Sequence, residues 1–238
     1  MFSQLQTIFA TLIDASKLLR NLGTARERRR VVLALLTAYF VLKNIINRGN
    51  RALQILNDYT NDDLDDLTPQ KARALTELLH VVIEQQLFDL EQLNHLLQNA
   101  SILDLLCPNL RATIARQIGW KDQALLGIAA AMYFYHAGFF ISTVSVDSIS
   151  KVIEHQFDLI RPMFPHVRDT GRINLRASRQ LLGELRKTME SLRSATSKAV
   201  PQEDFLILSR KAEAFACHAS LQKLGRVFPS KLYEVKNG

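Results

Sequence analysis

Between residues 124 and 146 the chain runs for twenty-three residues without an Asp, Glu, Lys or Arg, and His136 is the one side chain there that can take a charge. Such a run has to be hidden, either in a bilayer or in a protein interior. About 20 apolar residues at 1.5 Å rise cover the hydrocarbon core of a membrane, so length alone admits a span. Composition points inward instead: Ala124, Ala129, Ala130, Ala131, Ala137, Gly127 and Gly138 are small, and Tyr133, Tyr135 and His136 put polar groups at the middle. From 139 to 146 β-branched and hydroxyl residues favour extended or turn backbone. The expectation is a helix over 122–140, apolar on all sides and therefore central to a core.

Nine glycines and six prolines in 238 residues leave few breakers, so the elements are long, and long elements here read as helices. A first helix is expected over 2–22, with Leu5, Ile8, Leu12, Ala15 and Leu19 in one stripe, stopped by Gly23. Thr24 then caps a helix over 25–59. Val32, Leu35, Tyr39, Leu42, Ile46, Leu53 and Leu56 keep a heptad phase, while Val31, Leu33, Leu36 and Phe40 add apolar side chains on its other faces. Gly49 lies on that seam, as a site of close helix approach or of a bend.

Thr68-Pro69, after the aspartate-rich turn at 60–67, opens a helix to 99 whose buried side is Leu75, Leu79, Val82, Leu90, Leu93 and Leu97. Shorter helices are expected over 101–107, 109–118 and from 148 to 161, and residues 165–171 are the best candidate linker. Helices over 173–197 and 201–227 complete an all-α, largely up-and-down bundle of seven to eight helices around the two apolar ones at 25–59 and 122–140. There is no alternating strand pattern and no fixed-period repeat.

Net charge is +7 and unevenly spread. Residues 1–58 carry +6, residues 59–107 carry −7, and residues 151–238 carry +7. Two basic clusters result. Arg172, Arg179, Arg186 and Arg193 recur every seven residues beside a seam of Leu175, Ser178, Leu182, Leu185, Met189 and Leu192. Such a row either grips an acidic partner or phosphates, or lays its stems over the seam and pairs with the protein's own carboxylates. Arg26, Arg28, Arg29 and Arg30 stand in the first turns of the 25–59 helix, against its dipole. The aspartates at 62–66 are an internal answer for them; anionic lipid or nucleic acid is an external one.

Chemistry is thinly signposted. Glu77 and His80 form one Glu-x-x-His pair, but a di-iron bundle needs a second on another helix. There is no phosphate loop, nucleophile elbow or zinc spacing, so no cofactor or metal is expected. Cys107 and Cys217 are too few for a disulfide scaffold and read as buried thiols, with His218 as a packing residue. The first twenty residues lack a secretory pattern, which gives a cytoplasmic address as the expectation. The leading reading is a non-enzymatic helical module that binds an acidic protein partner, with self-association and conditional membrane association as variants. A nucleic-acid binder using the basic faces is the alternative, and a metal-dependent helical enzyme is the third.

Overall fold

The computed structural model describes residues 2–17, 19, 22, 24–58, 68–99 and 174–227. All of its described elements are α-helices: α1 (Phe2–Lys17), α2 (Ala25–Asp58), α3 (Pro69–Asn99), α4 (Leu175–Ser197) and α5 (Gln202–Val227). The helix expected over 122–140, those over 101–118 and 148–161, and the linker at 165–171 lie outside the described residues.

Local chemistry places most of the helix starts. Thr24 and Glu27 close a capping box: the Glu27 N–H donates to Thr24 Oγ1 at 3.1 Å, and the Thr24 N–H donates to Glu27 Oε2 at 3.3 Å. Thr68 Oγ1 accepts from the Lys71 N–H at 3.4 Å, with Pro69 as the first helical residue. Asn174 Oδ1 accepts from the Ala177 N–H at 2.9 Å and caps α4. The first helix ends earlier than its stripe suggests. The Ser16 hydroxyl donates to the Ile13 carbonyl at 2.6 Å, and beyond Lys17 the Leu22 N–H reaches Leu19 C=O in a tighter i to i+3 turn.

α2 is the hub. It packs against α3, α4 and α5, while α1 lies mainly on α4. Val31, Val32, Leu35, Leu36, Leu42, Ile45 and Ile46 are each no more than 2% exposed, which covers several faces of the helix. Among the described residues, α2 is the helix long and apolar enough to cross a membrane, and 67% of that apolar window is buried inside the fold. Two contacts fix its direction relative to α4: the tip of Leu182 faces Gly49, and Glu190 faces Tyr39. The two helices are therefore antiparallel, with the end of α4 near the start of α2. A short turn at 198–201 reverses the chain into α5, whose first turn returns to α2 through Asp204 and Arg29.

The α2–α3 crossing is polar at its centre. Gln86, 5% exposed, donates to the Ile45 carbonyl at 3.1 Å. Arg48 donates to the Gln85 carbonyl, and its Nη1 lies 2.8 Å from Oδ2 of Asp89, a residue with no exposed surface. The sequence pattern for α3 missed both Gln86 and Asp89, which share the buried face with Leu79, Val82, Leu90 and Leu93. Burial pushes the Asp89 carboxyl up to about 7 although the Arg48 guanidinium pulls it down, and burial pushes the guanidinium below its ordinary value.

Two measurements check this packing. A methyl group added at Gly49 meets Gln86 Nε2 at 3.5 Å and Leu182 Cδ2 at 3.7 Å, ordinary contact distances, so Gly49→Ala fits. It should raise stability by about 0.5–1 kcal/mol in chemical denaturation, through the lower entropy of the unfolded chain. The second concerns pH. Asp89 takes up a proton on folding between its unfolded value of about 3.9 and its folded value. The contribution of Asp89 to stability is thus most favourable in acid, falls as pH rises from about 4 to about 7, and levels off above, by an amount on the order of a few kcal/mol. Asp89→Asn should flatten that slope. A residual slope of the same sign is expected from the half-buried Glu84, also raised by burial.

Candidate functional site

The basic face of α4 carries one of two concentrations of unanswered charge in the described structure. Ser178, Leu182, Leu185, Met189, Leu192 and Thr196 are buried, and Leu175 packs at the edge of the core. The seam foreseen in the sequence is thus occupied within the monomer, by α1 and α2. Closing the seam inward turns the arginine row to the rim. Arg179, Arg186 and Arg193 are exposed and stand about 10.5 Å apart along the helix axis. Arg172, the fourth member of the row, lies outside the described residues.

The row divides into two parts. The Tyr39 hydroxyl donates to Glu190 Oε1 at 2.8 Å, and Glu190 Oε2 lies 3.7 Å from Arg193 Nη1. Burial, with help from the Glu190 carboxylate, pushes the Tyr39 phenol up to about 12, while Arg193 pulls the other way. Arg193 therefore belongs to a small network that ties α4 to α2. No carboxylate among the described residues pairs with Arg179 or Arg186. Between 174 and 200 six basic side chains stand against two acidic ones, and a shallow hollow on the outer side of α4 is lined by Arg186, Lys187, Glu190, Ser191, Ser194, Ala195 and Lys198, so one of those two acids, Glu190, faces into it.

The second cluster is also split. Arg29 Nε donates to Asp204 Oδ2 at 2.9 Å, with Nη2 at 2.8 Å from the same oxygen. The aspartates at 62–66 lie outside the described residues, and the carboxylate found comes from the first turn of α5. Arg26 and Arg30 are exposed and Arg28 half-buried, and none of the three has a carboxylate partner among the described residues.

The remaining candidates gather less. Glu77 is exposed on α3, and the His80 side chain lies outside the description. Among the described residues no group of three or more His, Cys, Asp or Glu side chains comes together in a way that could hold a metal ion. Cys217 corrects the expectation of a buried thiol, since it is exposed on α5. The reason is register. The inward stripe of α5 is Phe205, Ala212 and Ala216, and Cys217 is rotated about 100° from Ala216. Cys107 and the His218 side chain lie outside the description.

Comparison with protein-family models, with curated proteins and with solved structures gives no match. The functional reading rests on the side chains alone.

Tyr39→Phe tests the link between core and site. It should cost about 0.5–1.5 kcal/mol in thermal or urea unfolding, the worth of one hydrogen bond. The cost stays modest because Glu190 is half open to water and hydrates when its donor is removed.

Proposed function

We propose that this protein is a non-enzymatic helical interaction module that holds an acidic protein partner along the outer face of α4. One observation carries the reading: the apolar seam of α4 is buried within the monomer, and exposed Arg179 and Arg186 beside it have no carboxylate among the described residues. Guanidinium groups spaced by a heptad match carboxylates spaced by a heptad on a helix lying alongside, and each can take a bidentate carboxylate. The proposal includes the full bundle of seven to eight helices, a cytoplasmic setting and conditional contact with anionic membrane.

A second reading is phosphate binding by the same row together with Arg26, Arg28 and Arg30, which likewise lack a carboxylate among the described residues. It is the less favoured, because α4 carries no Phe, Tyr or Trp on which a base could stack.

The double variant Arg179→Glu/Arg186→Glu tests the first reading. Circular dichroism should be unchanged and stability within about 1 kcal/mol of the parent, because exposed charges contribute little to folding. Affinity capture from nuclease-treated extract of the native cell should lose an acidic protein that the parent retains. Captured proteins identical for parent and variant refute the α4 reading. Capture that disappears with nuclease, and nucleic-acid affinity falling steeply with salt, favour the second.

A further inference from the structure

The described large apolar side chains that stand exposed are Val81 and three on α5: Leu206 at 53%, Ile207 at 54% and Phe215 at 63%. The opposite side of α5 buries Phe205, Ala212 and Ala216 against the core. Leu206 and Ile207 stand on the side away from that buried stripe and Phe215 on its flank, on a helix that also exposes Glu203, Arg210, Lys211 and Glu213.

Charged side chains flank the Leu206–Ile207 pair. Glu203, Leu206, Ile207 and Arg210 follow the i, i+3, i+4, i+7 spacing, which sets them within an arc of about 100°. An acid stands at one end, a base at the other, and two exposed apolar side chains lie between. Arg29 pairs with Asp204 and leaves the adjacent Glu203 pointing outward. Neither Glu203 nor Arg210 has an ion-pair partner among the described residues.

We propose that α5 pairs antiparallel with α5 of a second copy of this chain, about a two-fold axis between residues 206 and 207. In that arrangement residues equally far from the axis oppose each other. Glu203 of each copy then faces Arg210 of the other, and both copies of Leu206 and Ile207 meet at the centre. A parallel pair sets Glu203 against Glu203 and Arg210 against Arg210, so the pattern is self-complementary only when the helices run in opposite directions. One helix face is small beside the roughly 800 Å² per partner of a standard interface, so the dimer is reversible and concentration-dependent. The inference rests on α5 alone and is independent of the α4 reading.

Sedimentation velocity on the full chain, from about 1 µM to about 1 mM at moderate salt, tests it over the range in which such small interfaces associate. The parent should pass from monomer to dimer with rising concentration. Ile207→Glu, or the milder Ile207→Ser, should hold it monomeric with unchanged circular dichroism. Glu203→Arg and Arg210→Glu should each weaken the dimer about tenfold or more, since two-fold symmetry makes every substitution count twice. The double variant Glu203→Arg/Arg210→Glu should recover most of the affinity, because both pairs are then exchanged. A parent that stays monomeric throughout overturns the proposal, and is the outcome expected if a different protein covers this face. A dimer indifferent to these substitutions places the interface elsewhere and overturns it as well. Single reversals that weaken the dimer without rescue in the double variant overturn the antiparallel pairing.

Discussion

Val31, Val32, Leu35, Leu36, Ala38, Tyr39, Val41, Leu42, Ile45 and Ile46 are buried within sixteen consecutive residues of α2. Ten side chains so closely spaced do not fit one helical stripe; they go most of the way round the helix. Each full burial of a Leu, Ile or Val contributes about 1.5–3 kcal/mol, so α2 favours folds in which it is enclosed from several sides. α3, α4 and α5 do so directly, and α1 closes over α4. The surface chemistry follows from this enclosure. α4 turns its leucines and Met189 toward α2, and the arginines beside that seam are left at the rim.

Within this apolar setting the α2–α3 crossing is an exception with a physical consequence. A buried ion pair adds little net stability, because removing both charges from water costs about as much as their attraction returns. Separating the partners is another matter. A register of α3 that moves Asp89 away from Arg48 leaves two buried charges uncompensated and orphans the Gln86 amide from the Ile45 carbonyl. Leucine layers alone tolerate slippage by a turn; this polar cluster does not.

What was legible in the sequence was local. Thr24 and Thr68 mark helix starts because a side-chain oxygen answers a backbone N–H three residues on, whereas the Asn174 cap was not read and the helix expected from 173 starts at Leu175. The seam of α4 reads directly from its spacing, and the buried set matches it except that Leu175 is only partly buried and Thr196 is added. What was hidden was set by distance along the chain. Arg29 meets Asp204 across 175 residues, and Tyr39 meets Glu190 across 151. No periodicity predicts which exposed-looking carboxylate closes such a pair. Asp89 was passed over for a related reason: a charged residue in an apolar stripe looks like a flaw in the stripe until Arg48 on another helix explains it. The basic character of the α4 face was plain from its heptad of arginines, but the split between Arg193 and its neighbours depended on Tyr39.

The weakness of each exposed charge pair bears on how such a surface can work. A guanidinium and a carboxylate meeting in water contribute about 0–1 kcal/mol, and salt screens even that. Two arginines on a helix rim give a monomer at most a loose hold on an acidic partner. Symmetry changes the arithmetic. α5 follows α4 after a turn of four residues, so the proposed pairing through α5 would fix two α4 faces in one assembly, related by the same axis. A partner with two acidic segments then makes its second contact at high effective concentration, and avidity can exceed the single affinity by about 100-fold or more without a new kind of contact. The same geometry discriminates. In the proposed assembly a partner with one acidic segment, or with two whose spacing does not match, would gain nothing from the pairing, so the charge row would select by arrangement where its strength alone cannot.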